Sequence, residues 1–107
     1  MCLLYTIQKA ETILNRGVFN TRPRDYYDFY ILSTTQVYDK RLFEEALKAT
    51  AEHRGSAEKI KDRFGIIEVI SESSDLQILW KKYQKKFSYA GEIGYADIIK
   101  ALRKLLL

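Results

Sequence analysis

Apolar residues recur at three- and four-residue spacing along almost all of this chain, and only one proline and five glycines interrupt them. That pattern decides the fold class. An apolar position every 3.6 residues builds a stripe along an α-helix, whereas a half-buried strand needs strict alternation, and a sandwich or barrel needs a dense supply of turn residues. The spacing therefore predicts an all-α bundle of five or six helices.

The breaks in the pattern place the helix ends. A first helix over about residues 2 to 16 carries Leu3, Ile7, Ala10 and Leu14 on one stripe and stops at Gly17, a suitable C-cap. After a loop, Pro23 suits the first position of a second helix, where its missing amide hydrogen does no harm, and Asp25 in the first turn is favoured by the helix dipole. This helix, about 23 to 35, is apolar almost all round through Tyr26, Tyr27, Phe29, Tyr30, Ile31 and Leu32, and is expected to be the most enclosed element. Asp39 can cap a third helix bearing Leu42, Phe43, Ala46 and Leu47 and closed by Gly55. Ser56 can open a short polar helix, without a reciprocal capping box because Lys59 stands three residues on. Ile66 to Ile70 has strand-like composition, but a lone strand has no partner, so the segment reads as a short helix ending near Ser73, with Asp75 opening the next. Leu76, Leu79, Trp80, Tyr83 and Phe87 form the next stripe, and Tyr95, Ile98, Ile99, Leu102 and Leu106 the last.

Composition narrows the function classes. A length of 107 residues suits one domain, and 47% apolar with 30% charged residues fits a folded globular chain with a net charge of +4. Cys2 is the only cysteine and His53 the only histidine, too few for an internal disulfide or a tetrahedral zinc site, so no metal site is expected. The apolar run Met1 to Tyr5 has no basic region before it and no cleavage site after it, so a signal peptide is not expected. No window approaches the ~18 apolar residues of a membrane span. Cytoplasmic residence without a membrane partner is the expectation.

The densest chemistry lies in Thr21 to Tyr30. Asp25 and Asp28 are three apart and Arg24 and Asp28 four apart, so on a helix Asp28 has both a like and an opposite charge as neighbours. Two such carboxylates can act as a base, hold a metal-bound phosphate or orient a basic partner; equally, they can brace helix packing through ion pairs. Lys9 lies about 40° from Ile13 around the first helix, so it reaches a second packed surface or stands in solvent. Lys81, Lys82, Lys85 and Lys86 surround Tyr83 in a basic ridge suited to phosphates, or to being a solvated face. No glycine-rich phosphate loop, nucleophile elbow or catalytic Cys/His pair is present.

The stretch Gln8-Lys9-Ala10-Glu11-Thr12-Ile13-Leu14-Asn15-Arg16-Gly17, followed by Asn20-Thr21-Arg22-Pro23-Arg24-Asp25-Tyr26-Tyr27-Asp28, resembles the C-terminal half of the AbiEii/AbiGii toxin family. There a lysine helix is followed, after a short loop, by an Arg-x-Arg-Asp-x-x-Asp type motif. Leu79-Trp80-x-x-Tyr83 and Lys85-Lys86-Phe87 resemble the helical tail of the same proteins, so the likeness runs along essentially the whole chain. The resemblance implies a nucleotidyltransferase-like protein of toxin-antitoxin and phage abortive-infection systems. It implies nucleotide binding by Lys9 and Arg24, and catalytic roles for Asp25 and Asp28. It also implies Mg²⁺ and a nucleoside triphosphate for the complete protein.

The chain departs from the family at the catalytic core. The family's Gly-Ser or Gly-Gly motif and its Asp-x-Asp pair lie on β-strands upstream. Here Gly55-Ser56 follows the aspartates, and no Asp-x-Asp occurs. The resemblance therefore implies a C-terminal helical portion without its nucleotidyltransferase core, a single helical domain over 1-107, inactive and cofactor-free alone. Its partners would be the missing portion, a cognate antitoxin or a second copy. The competing reading is a non-catalytic helical module that binds protein or RNA through the lysine ridge.

Overall fold

Each interruption in the apolar spacing becomes a boundary between helices. The computed structural model describes residues 2–107, apart from the Cys2 side chain, so the expectation about that thiol lies outside the described residues. The described elements are α1 (Cys2–Arg16), α2 (Pro23–Thr35), α3 (Lys40–Arg54), α4 (Ala57–Lys61), α5 (Arg63–Glu72), α6 (Ser74–Lys86) and α7 (Tyr95–Leu106). Short 3₁₀ turns cover Gly17–Phe19 and Ser88–Ala90. The fold is all-α. The described residues form seven helices against the five or six expected, the short α4 and α5 being separate elements that meet at Asp62.

Local chemistry accounts for the ends. Asp39 Oδ1 accepts from the amides of Arg41 and Leu42 at 3.0 and 3.2 Å, capping α3. Gly55 closes the same helix at φ 76°, a left-handed conformation that side chains resist. Gly17 takes φ 52° immediately after α1, where it turns the chain into the first 3₁₀ segment. Helix α6 begins one residue earlier than Asp75 suggests, because Ser73 is the cap and its Oγ accepts from the Leu76 amide at 3.2 Å.

α1 is the centre of the bundle, packed against α2, α3, α4 and α5, while α7 lies across α2 and α5. Ile7, Ala10, Ile13 and Leu14 of α1 meet Phe29, Phe43, Leu47, Ile67, Ile70, Ile98, Leu102 and Leu106 in one core. The expectation for α2 is corrected here. Only Tyr26 and Phe29 of α2 are buried, because its remaining tyrosines keep part of each ring at the surface, and α1 and α7 are the enclosed helices. Leu3 and Leu42, placed on apolar stripes by spacing, are exposed at 40% and 55%, since each lies near the first turn of its helix.

Polar groups of the aromatic side chains fix the later helices. Trp80 Nε1 donates to the Ile93 carbonyl at 2.8 Å and Gln84 Nε2 to the same oxygen at 2.7 Å, holding the segment before α7 against α6. The Tyr95 hydroxyl donates to the Ile70 carbonyl at 2.6 Å, and burial pushes its pKa up to about 12. No helix among the described residues is long and apolar enough to cross a membrane.

Candidate functional site

Two adjoining helices build the site. Pro23 starts α2 so that Asp25 and Asp28, three residues apart, present their carboxylates on one face within its first two turns. α1 packs against α2 and delivers Lys9 to that face. Lys9 Nζ donates to Asp25 Oδ1 at 2.9 Å and lies 3.3 Å from Asp28 Oδ2. The three side chains are only 13 to 19% exposed. Lys9 therefore reaches the second packed surface that its angular position allowed.

Neighbouring groups hold each carboxylate differently. Asn20, buried in the loop before α2, donates from Nδ2 to Asp25 Oδ2 at 3.2 Å and accepts the Arg22 amide on Oδ1 at 3.0 Å. Asp28 Oδ2 accepts from the Tyr5 hydroxyl at 3.5 Å and forms an ion pair with Arg24, whose Nε lies 3.8 Å away. The Tyr5 ring centroid lies 5.2 Å from Lys9 Nζ, within cation–π range. Arg24 is 77% exposed and stands at the rim. The cluster balances two cations with two carboxylates. Burial alone would lower the Lys9 pKa, but hydrogen bonds and attraction from Asp25 and Asp28 outweigh it and hold the ammonium above its ordinary value.

This arrangement suits anion and proton chemistry. A lysine ammonium can meet a phosphate as a point charge if it exchanges a carboxylate partner, and a released carboxylate can orient or deprotonate a hydroxyl. The residues present do not fit a divalent cation by themselves. Lys9 already occupies the space between the two carboxylates, and the described residues contain no cluster of three His, Cys, Asp or Glu side chains able to ligate one. Asn20 lines a small cavity with Thr21, Pro23 and Tyr26, and Lys9, Asp25 and Asp28 stand together at the junction of α1 and α2.

The Gly55-Ser56 pair has a different task. Ser56 is 3% exposed and makes no helix-capping bond; its hydroxyl donates to Glu11 Oε2 at 2.7 Å. Arg54 Nη1 donates to the other oxygen, Glu11 Oε1, at 2.6 Å. This buried carboxylate ties α1 to the turn between α3 and α4. On α6, which packs against α2, Lys81, Lys82, Lys85 and Lys86 are exposed, as a solvated ridge would be. Tyr83, their central aromatic, faces inward and stacks on Trp80 at a ring separation of 5.4 Å.

Sequence spacing located Lys9, Arg24, Asp25 and Asp28, and the structure brings all four together. It did not single out Tyr5, Asn20, Glu11 or Arg54. Asn20 carried a readable signal, because an asparagine two residues before an amide ahead of a helix-opening proline forms a side-chain turn. Glu11 carried none, since its partners lie more than forty residues away.

A lysine bracketed by two aspartates at an α1–α2 junction, in an all-helical chain, is the arrangement that the sequence motif anticipated. The model of the family described as "Nucleotidyl transferase AbiEii toxin, Type IV TA system" matches residues 6–104, a span that includes Lys9, Arg24, Asp25 and Asp28 and runs from within α1 into α7. The match places the chain among nucleotidyltransferase-like proteins of toxin-antitoxin systems. It belongs to the AbiEii toxin family. No curated protein and no solved structure matches it.

Proposed function

We propose that this helical unit forms one wall of an AbiEii-type nucleotidyl-transfer site, the other wall coming from another stretch of polypeptide, and that it is inactive alone. The observation that carries this reading is Lys9, held at 2.9 and 3.3 Å between Asp25 and Asp28 at the junction of α1 and α2. Lys9 and Arg24 meet the phosphates of a nucleoside triphosphate, where cationic groups offset the charge that develops during transfer. Asp25 and Asp28 supply the site's carboxylates, one of which activates or orients the acceptor hydroxyl. Mg²⁺ belongs to carboxylates of the opposite wall, because this chain's pair is already neutralised. The work is that of a toxin acting in the cytoplasm in phage abortive infection, restrained by a cognate antitoxin.

Family membership over residues 6–104 and the absence of any Asp-x-Asp from the sequence support the division into two walls. Calorimetry with a nucleoside triphosphate and Mg²⁺ tests it. The isolated chain is expected to give no binding heat, while addition of a polypeptide carrying the Gly-Ser and Asp-x-Asp motifs restores binding and transfer that Lys9→Ala abolishes. Micromolar affinity in the isolated chain would overturn the two-wall reading. So would an assembled site whose transfer rate ignores Lys9→Ala.

A further inference from the structure

The two aspartates of the site are not equivalent, and the difference originates in the loop that precedes them. Asp25 is gripped at both oxygens: Oδ1 takes the Lys9 ammonium at 2.9 Å, and Oδ2 takes the Asn20 amide at 3.2 Å. Asn20 is itself immobilised, being 1% exposed with its own Oδ1 accepting from the Arg22 amide at 3.0 Å. Asp28 is held otherwise. Lys9, Tyr5 and Arg24 all approach a single oxygen, Oδ2, at 3.3, 3.5 and 3.8 Å, and Tyr5 and Arg24 belong to exposed side chains.

We propose that Asn20 is a positioning residue that locks Asp25 as the permanent anchor of Lys9, leaving Asp28 as the carboxylate that gives up its cation when the site is engaged. The physical reasoning concerns what each group loses. If a phosphate draws the ammonium away, Asp25 keeps the Asn20 amide on Oδ2 and stays in place, because a buried, doubly bonded amide has no alternative rotamer that preserves both bonds. Asp28 has only long contacts to surrender, so rotating its carboxylate toward an incoming hydroxyl costs little. Asp25 thus sets where Lys9 stands, and Asp28 is the group free to accept a proton. This division rests on the reading of the site as a nucleotidyl-transfer wall, but its first half concerns only the free chain and is tested there.

The test uses the slow exchange of a hydrogen-bonded lysine ammonium, observed as the Lys9 Nζ resonance by ¹H–¹⁵N NMR on the free chain near neutral pH. Asp28→Asn is expected to leave that resonance protected. Asp25→Asn is expected to broaden it at least severalfold through faster exchange with water. Asn20→Asp separates positioning from turn formation: an aspartate still accepts the Arg22 amide, yet it cannot donate to Asp25 and repels it. The Lys9 resonance is therefore expected to broaden in Asn20→Asp as it does in Asp25→Asn. A protected Lys9 signal in Asn20→Asp would overturn the proposal, as would loss in Asp28→Asn with retention in Asp25→Asn. Asp25→Asn and Asp28→Asn change only oxygen to nitrogen at partly exposed positions, so their comparison decides the matter even if Asn20 variants fold poorly. In the assembled site, Asp28→Asn is expected to abolish transfer while leaving nucleotide affinity within about twofold. Failure of nucleotide transfer in any assembly, with the Lys9 resonances behaving as described, would sink the functional reading and leave the anchoring role of Asn20 standing.

Discussion

Replacing Ser56 by alanine separates a structural role for the Gly55-Ser56 pair from a nucleotide-binding one. Ser56 is buried, and its hydroxyl is one of two donors to the Glu11 carboxylate, the other being Arg54 at 2.6 Å. A hydrogen bond to a charged group contributes about 1.5–3 kcal/mol, and losing the donor leaves a buried oxygen short of a partner. The usual penalty of about 1 kcal/mol for removing a serine N-cap is not added, because Ser56 makes no capping bond. Nor is there a large cavity, since a single oxygen is deleted. The expected loss is about 2 kcal/mol, which lowers the melting temperature by about 8–16 °C in a domain near 100 residues. Thermal and urea unfolding followed by far-ultraviolet circular dichroism measure it. A double-mutant cycle with Glu11→Gln isolates the pair and is expected to show coupling of about 1 kcal/mol. A loss below about 0.5 kcal/mol, or no coupling, would refute the reasoning. Unchanged stability with impaired nucleotide binding in the assembled site would give Ser56 a binding role in place of the structural one.

Three further outcomes follow from the charged groups. Lys9→Met leaves Asp25 and Asp28 uncompensated and is expected to cost about 2 kcal/mol at pH 7 by urea unfolding. Because the folded Lys9 pKa is raised above 10.5, its contribution is complete below that pH and lost as pH rises through the folded value, so the variant and the parent converge at strongly alkaline pH. Arg63 grips Glu44 with two hydrogen bonds of 2.7 and 2.6 Å, and these, against the opposing effect of burial, hold the carboxyl below its ordinary 4.5. Arg63→Ala is expected to cost about 1 kcal/mol at pH 7, with the gap from the parent closing as pH falls below 4.5 through the folded value; a gap constant from pH 7 to pH 3 would contradict it. Changing Lys81, Lys82, Lys85 and Lys86 together to alanine is expected to leave stability within about 0.5 kcal/mol and retention on immobilised RNA unchanged, whereas lost retention would favour an RNA-binding module.

What was legible in the sequence is what depends on residues close together along the chain. The helical class followed from apolar spacing, α2 from Pro23, the close of α3 from Gly55, and the shared face of Asp25 and Asp28 from a three-residue interval, because helix geometry alone fixes those neighbours. The family motif carried Lys9 and both aspartates into one prediction, and the fold placed them in contact.

Tertiary packing decided the rest. Whether Lys9 faced water or α2, which helix was most enclosed, and where the Ser56 hydroxyl went depended on how α1 lay against its neighbours. Glu11 and Ser56 are 45 residues apart, a separation over which local spacing carries no information about distance. A buried carboxylate gripped from a distant turn and an ammonium shared by two acids of a neighbouring helix exist only once helices have closed around them, since the loss of water that makes those bonds matter is a property of the packed molecule.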